Sequence, residues 1–429
     1  MKRFSFFLFL LLFLVAMGIF AAAFFLLSEP TVTIYPKPNP RWWAFQSVDT
    51  MKHSRDLARE KLHDASYDAV IDREVRAIAD TGATHVAIAT PYDEEFVPYL
   101  KRWVLAARKY HLGVWFRGNF SGWEEWFGYQ KVSRSEHIFK TQAFIRRHPD
   151  IFQDGDAFSA CPECENGGPG DPRSNGDIEG YRKFLIDEYA ATQSSFEKLG
   201  KEVSSNFFSM NGDIARLVMD KGTTEKLGGM VTVDHYVRTP EVLASDAQDF
   251  ISRSDGDLLL GEFGAPIPDI NGDMTDEQQS VWLRDVLSRF THIPRVFGMS
   301  YWTQTGSSTA LWNEKGVPRA AVATLAEFFL PQVFYGTVRD ELGAPIAGAR
   351  VSSGTDFSTA TNGEGYFELR VPSSREGSAL LSVSAQSFLS QEIPGETTQM
   401  SIVLPREEET WWFRLEKWMR RHREAWQRG

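Results

Sequence analysis

Between residues 41 and 332 the chain alternates short apolar runs with longer stretches whose apolar residues recur at spacings of three and four. The short runs read as strands: "RWWAFQSV" from Arg41, "THVAIAT" from Thr84, "LGVWFRG" from Leu112, "AFSACPE" from Ala157, "VSSNFFS" from Val203, "MVTVDHY" from Met230, "DLLLGEFG" from Asp257 and "VFGMSYW" from Val296. The longer stretches, such as "YDAVIDREVRAIADTG" and "DEQQSVWLRDVLSRF", set charges opposite the apolar face and read as amphipathic helices. Eight strands alternating with eight helices predict an α/β chain with a (β/α)8 TIM barrel over 41–332. An open doubly wound sheet is the alternative, and it would carry a glycine-rich phosphate turn after its first strand. Here the first strand runs into "DTMKHSRD", which has no glycine.

The pattern changes on both sides of this region. Residues 1–28 hold no charge after Arg3, which is apolar length enough to cross roughly 30 Å of hydrocarbon as a helix. Lys2 and Arg3 precede it, so the positive-inside rule predicts a signal anchor with the rest of the chain extracytoplasmic, at the cell surface or in the periplasm. A cleaved signal peptide is the alternative, though its apolar core normally spans about 7–15 residues. Residues 29–40 end in "YPKPNP", and alternating prolines favour a stiff, extended spacer. From 333 to 405 short alternating runs are separated by turn residues in "ELGAP", "NGEG" and "PSSREG", which predicts a small all-β sandwich. Its Gly336, Val338, Asp340, Gly343, Pro345, Gly348, Ala349, Val351, Thr361, Gly365 and Tyr366 resemble the pattern of the carboxypeptidase regulatory-like, transthyretin-like domain. That resemblance implies an appended spacer or binding module. Residues 406–429 read as a C-terminal amphipathic helix, with Trp411, Leu415, Trp418, Met419 and Trp426 near one face and Arg414, Lys417, Arg420, Arg421 and Arg423 around it. Such a helix either lies on an anionic membrane or packs on one of the domains.

Composition narrows the function classes. With 42% hydrophobic and 24% charged residues in 429, the chain can bury a sizeable core. A net charge of −11 argues against a general nucleic-acid binder, which needs basic surface to neutralise phosphates. Thirteen Trp residues are many; Trp fills cores, and it also stacks on the C–H face of a sugar ring in carbohydrate clefts.

Barrel enzymes work at the C-terminal ends of their strands. There the third strand offers Arg117 and Asn119, with Trp123 on the loop beyond. The fourth offers Glu163 and then Glu165, and the fifth Asn206. The sixth offers Asp234, His235 and Tyr236, the seventh Glu262 and the eighth Trp302. A carboxylate ending a buried strand is costly unless hydrogen-bonded or used. Two of them, on strands four and seven, face each other across the mouth of an eightfold barrel. A pair about 5 Å apart can run retaining glycoside hydrolysis, one as proton donor and base, the other as nucleophile.

With Glu163 ending strand four and "GEFG" around Glu262 ending strand seven, the region resembles the clan A glycoside hydrolases, which include cellulases and β-mannanases. The resemblance implies Glu262 as nucleophile and Glu163 as acid/base, with Glu165 the alternative. It also implies Trp302 as a sugar platform, and Tyr236 or His235 holding the nucleophile. Arg117, Asn119, Trp123 and Asn206 remain as candidate substrate-side residues; Arg117 could equally pair with a barrel carboxylate. The chain departs from the clan where an Asn usually precedes the acid: it reads "CPECEN". Polysaccharide or oligosaccharide is the implied partner, and neither cofactor nor metal is expected.

Cys161 and Cys164 are the only cysteines. A structural zinc site needs four ligands and no second pair exists; a redox pair belongs at the start of a helix. A local disulfide pinning the Glu163 loop and two free packed thiols both remain open. A non-catalytic carbohydrate-binding or envelope scaffold on a barrel is the rival to the enzyme.

Overall fold

A computed structural model describes residues 34–373, 379–396, 398–407, 410–415 and 417–419. The expected signal anchor, residues 1–28, lies outside them. Among the described residues no helix is long and apolar enough to cross a membrane. They form two compact units, one spanning Arg41–Pro331 and the other combining residues 34–40 with those from Gln332 onward.

The first unit holds eight parallel strands, β1 (Phe45–Asp49), β2 (His85–Ile88), β3 (Gly113–Phe116), β4 (Ala157–Phe158), β5 (Ser209–Asn211), β6 (Met230–Asp234), β7 (Asp257–Phe263) and β8 (Val296–Tyr301). They pair in the order β4-β3-β2-β1-β8-β7-β6-β5. The sheet closes through a parallel bridge from Ala157 of β4 to Ser204, in the segment just before β5, where the Phe158 amide donates to the Ser204 carbonyl at 2.8 Å. The sheet therefore curls as in a TIM barrel.

Helices follow the strands as the apolar spacing predicts. Asp68–Asp80 buries Ile71, Val75 and Ile78, three residues on one face. Arg134–Arg147 begins in a capping box, with Ser133 and Glu136 each satisfying the other's backbone amide, and Asp276–Phe290 begins the same way from Thr275 and Gln278. Inside the barrel, Phe45, Ala87, Trp115, Ala157, Phe207, Met230 and Leu259 form one buried cluster.

Two strands differ most from their expected extents. The ladder of β4 is two residues long, so Glu163 lies on a loop beyond it rather than at the end of a seven-residue strand. The ladder of β5 starts at Ser209, where it meets Thr232 of β6, and not at Val203. Periodicity marks an apolar run, whereas the ladder's start depends on the partner strand.

The second unit contains β9 (Gln332–Asp340), β10 (Arg350–Ser353), β11 (Phe357–Ala360), β12 (Tyr366–Val371), β13 (Leu380–Ser384), β14 (Gln391–Pro394) and β15 (Gln399–Leu404). They form two sheets, β11-β10-β13-β14 and β12-β9-β15, which enclose Phe334, Val338, Val351, Leu369, Leu381, Val383 and Ile402. The described end of the proline-rich spacer is not free of this domain. Tyr35 stacks on Tyr366 at 4.1 Å between ring centroids, and the Tyr35 amide donates to Gln399 at 2.9 Å. Residues 411–415 and 417–419 are helical; the rest of the expected C-terminal helix lies outside the described residues.

Closure of the barrel leaves no room at Gly298, where a Cβ would meet the Phe45 carbonyl oxygen at 2.1 Å. Gly298→Ala must push β8 from β1 and is expected to lower the melting temperature more than Ser133→Ala, a cap loss of about 1 kcal/mol. Calorimetry on both variants checks this.

Candidate active site

Alternation along β1, β3 and β6 brings one residue from the end of each into the barrel mouth. The interior faces carry Phe45, Trp115 and Met230 at the bottom, and the same faces end in Asp49, Arg117 and Asp234. The Arg117 guanidinium is the centre of this layer. Its Nη1 donates to Asp49 at 2.8 Å and to Glu262 at 2.6 Å. Its Nη2 donates to Asp234 at 2.8 Å and to the Ser209 hydroxyl at 3.0 Å. Below, the cation lies 4.8 Å from the Trp115 ring centroid. All four charged side chains are buried.

Glu262 reaches this layer only through an irregularity. Leu259 packs in the interior cluster, so strict alternation would turn Gly261 inward and Glu262 outward. Val233 pairs with Leu260 but Asp234 pairs with Glu262. Gly261 is thus the extra residue of a β-bulge, which re-aims Glu262 into the mouth. A side chain at Gly261 would collide there, its Cβ meeting the Asp234 carboxylate at 2.4 Å. The second Glu262 oxygen accepts from the Tyr236 hydroxyl at 2.8 Å. Burial and the charge of Glu262 push the Tyr236 hydroxyl well above its ordinary pKa, so it serves as a donor. Tyr236 in turn meets Trp302 edge to face at 5.9 Å, and Trp302 remains partly exposed.

Glu163 faces this layer from the loop after β4. One carboxylate oxygen from each of Glu163, Asp234 and Glu262 lies within 4.8 Å of the others. One guanidinium cannot neutralise so many carboxylates in a buried site. Burial, then the charge of Glu262, raise the Glu163 pKa to about 8 against the pull of Arg117. Burial lifts Asp49 to about 6, with Arg117 opposing and Glu262 adding to it. Asp234 is raised too, first by burial and then by Glu262 and Glu163, with Arg117 opposing.

The remaining expected residues are placed differently. Glu165 is buried and spent on structure: it accepts from the Asn211 amide at 2.7 Å, from the Asn211 side chain at 2.9 Å and from the Tyr181 hydroxyl at 3.1 Å. Asn119 is buried, donating to Glu124 at 2.5 Å and accepting from the Phe120 amide at 2.7 Å; its side-chain oxygen lies 2.9 Å from His137. Trp123 is buried too, stacked on Phe184 at 5.1 Å with its indole donating to the Cys164 carbonyl at 3.1 Å. His235 turns away to Asp246 at 2.7 Å. Asn206 precedes β5 and donates to the Gly228 carbonyl, just before β6, so it sits at the opposite end of the barrel. Each of these polar groups was predicted from position along the chain, and each has found a nearer partner than the cleft.

Asp49 and Ser209 are the additions, and Asp234, offered by the sixth strand, takes its place here through Arg117. The signal for the two aspartates was present: "FQSVD" and "MVTVD" both end an apolar strand in a carboxylate. Glu124 adds a further carboxyl, raised to about 7 by burial, with its Asn119 hydrogen bond opposing. Cys161 and Cys164 form a disulfide.

Residues 333–405 match the carboxypeptidase regulatory-like domain family. No curated protein matches the chain by sequence. The solved structures to which the chain is similar include glycosidases. GH5_18 of Bifidobacterium longum, solved with Manβ1-4GlcNAc, is 14% identical with a TM-score of 0.49, over 72% of this chain and 86% of that one. The β-glycosidase BGL167 is 12% identical with a TM-score of 0.47, over 69% of this chain and 97% of that one. The β-glucuronidase 3 of Bacteroides uniformis is 11% identical with a TM-score of 0.43, over 78% of this chain and 47% of that one. The chain spans about half the length of the glucuronidases it matches.

Two outcomes follow from the electrostatics. Arg117→Met leaves buried carboxylates without their cation and should cost about 3–5 kcal/mol at neutral pH. The loss should shrink in acid as those carboxyls take up protons, which urea melts across pH would read. Glu163 has the opposite sign of linkage to a salt-bridged acid. Its folded pKa lies above its unfolded value, so its contribution is whole below the unfolded pKa and is lost as pH rises toward about 8. Glu163→Gln should therefore melt close to the parent near pH 4 and several degrees above it beyond pH 8.

Proposed function

We propose that the chain is a membrane-anchored, extracytoplasmic retaining glycoside hydrolase that cleaves a β-linked polysaccharide or oligosaccharide by double displacement. The observation that carries this reading is the approach of the Glu163 and Glu262 carboxylates within 4.8 Å. A separation near 5 Å fits direct attack by one carboxylate and leaves no room for the water an inverting pair would hold.

The environments divide the labour. Glu262 accepts from Arg117 on one oxygen and from the Tyr236 hydroxyl on the other, and each oxygen keeps a lone pair for the anomeric carbon. Glu163 stays protonated near neutral pH and gives its proton to the leaving oxygen as the glycosidic bond breaks. The sugar then resides as an ester on Glu262. Glu163, now ionised, takes a proton from water; that water attacks the anomeric carbon and the Glu262 ester bond breaks. The partly exposed Trp302 ring, beside Tyr236, offers an apolar floor for the sugar. The three carboxylates could also suggest a cation site, but Arg117 already supplies the positive charge to Asp234 and Glu262. Anchoring rests on the apolar residues 4–28 behind Lys2 and Arg3.

The full chain, assayed on β-glucans, mannans, xylan, chitin and peptidoglycan, should release sugar from at least one. Glu262→Gln should remove that activity, and a 2-fluoro glycoside of the preferred sugar should leave a covalent adduct on Glu262. Activity should fall as pH passes about 8, where Glu163 loses its proton. The fall should vanish in the kcat/KM for dinitrophenyl glycosides, whose leaving group needs no proton. Activity that survives Glu262→Gln would sink the mechanism; inactivity of the parent on every substrate would favour a binding scaffold.

A further inference from the structure

The acid/base of the proposed reaction sits inside a four-residue covalent loop, Cys161-Pro162-Glu163-Cys164, closed by the disulfide. A loop this short removes little conformational freedom from the unfolded chain, so the bond is poorly suited as a global staple. Its effect is local. Glu163 adopts a left-handed backbone conformation, φ 44° and ψ 45°, which is unfavourable for a residue with a side chain and persists only where its surroundings impose it.

The surroundings do so from both sides. Cys161 and Cys164 are both buried. The Asn119 amide reaches the Cys161 sulfur at 3.6 Å, and the Trp123 indole holds the Cys164 carbonyl at 3.1 Å; both belong to the segment after β3. On the other side the Glu163 amide donates to the Ser209 carbonyl at 2.7 Å, and Ser209 is the residue of β5 that also contacts Arg117. The β4 ladder has ended five residues earlier, at Phe158, so the strand that leads to Glu163 does not itself hold it in place.

We infer that Cys161 and Cys164 are positioning residues whose disulfide holds Glu163 in its left-handed conformation, facing Glu262, so that a competent acid/base exists only in the oxidised chain. This rests on the hydrolase reading for its consequence in catalysis but not for its geometry. It also accounts for the chain's only two cysteines, and it fits a domain working outside the cytoplasm, where disulfides persist.

The test compares melting temperatures of the full chain and Glu163→Gln, each with and without Cys161→Ala/Cys164→Ala, from about pH 4 to about pH 9. With the disulfide, the gap between chain and Glu163→Gln opens with pH, because Glu163 ionises while buried and facing Glu262, Asp234, Glu165 and Glu124, with Arg117 opposing. Without it, Glu163 relaxes toward water and the gap should close. Should the cysteine-free chain not fold, the same gap is read after reduction by dithiothreitol. That reagent gives two electrons and two protons to the S–S bond and closes to its own cyclic disulfide; alkylation in denaturant counts the two new thiols. A gap of undiminished size in a folded, disulfide-free chain overturns the inference. Activity supplies a second readout. The cysteine-free chain should lose about 100-fold in kcat/KM on glycosides with poor leaving groups while keeping that for dinitrophenyl glycosides; an equal loss on both would mean a merely structural bond and would also overturn it. If the parent hydrolyses nothing yet the gap closes, the positioning stands and the hydrolase reading fails.

Discussion

The guanidinium of Arg117, sealed beneath the barrel mouth, meets Asp49 from β1, Asp234 from β6, Glu262 from β7 and the hydroxyl of Ser209 from β5. Residues of five of the eight strands, counting its own, therefore meet on one cation. Removing such charges from water is expensive and is offset only when hydrogen bonds are made in good geometry. The planar fork of Arg suits this task, presenting several donors in one plane. The cation could not remain without the carboxylates, nor the carboxylates without the cation, so the barrel mouth is held as a unit.

That same unit separates two glutamates of identical chemistry. Glu262 has a strong donor on each oxygen. Burial, then the charge of Glu262, raise the Glu163 pKa to about 8 against the pull of Arg117, and among the described residues Glu163 has no ion pair of its own. In the proposed reaction, acid and nucleophile would thus arise from placement rather than from residue type. The proposed catalytic division of labour is a consequence of where a single positive charge was put.

Legibility in the sequence varied by kind of feature. The barrel was readable because period-two and period-3.6 patterns each extend over many residues, and the helices Asp68–Asp80 and Asp276–Phe290 fall where the spacing placed them. Glu262, Glu163, Arg117, Tyr236 and Trp302 were readable as polar or aromatic residues at strand ends. Asn119, Trp123, His235, Glu165 and Asn206 carried the same signal, yet their side chains are bonded elsewhere. Position along a strand does not say which of several neighbours a polar group will find. Asp49 and Asp234 ended strands as visibly as Glu262 did, but their value depends on Arg117 lying between them.

By itself the sequence determined the alternation of strands and helices, the β-sandwich after residue 332 and the set of chemical groups available at the barrel mouth, because these depend on local periodicity and residue type. Tertiary structure decided which groups meet. The bulge at Gly261 turns Glu262 inward against its own alternation, and the disulfide-closed loop presents Glu163 where no strand carries it. Both depend on register between strands distant in sequence, and on the field of one buried cation, neither of which is written in any short stretch of the chain.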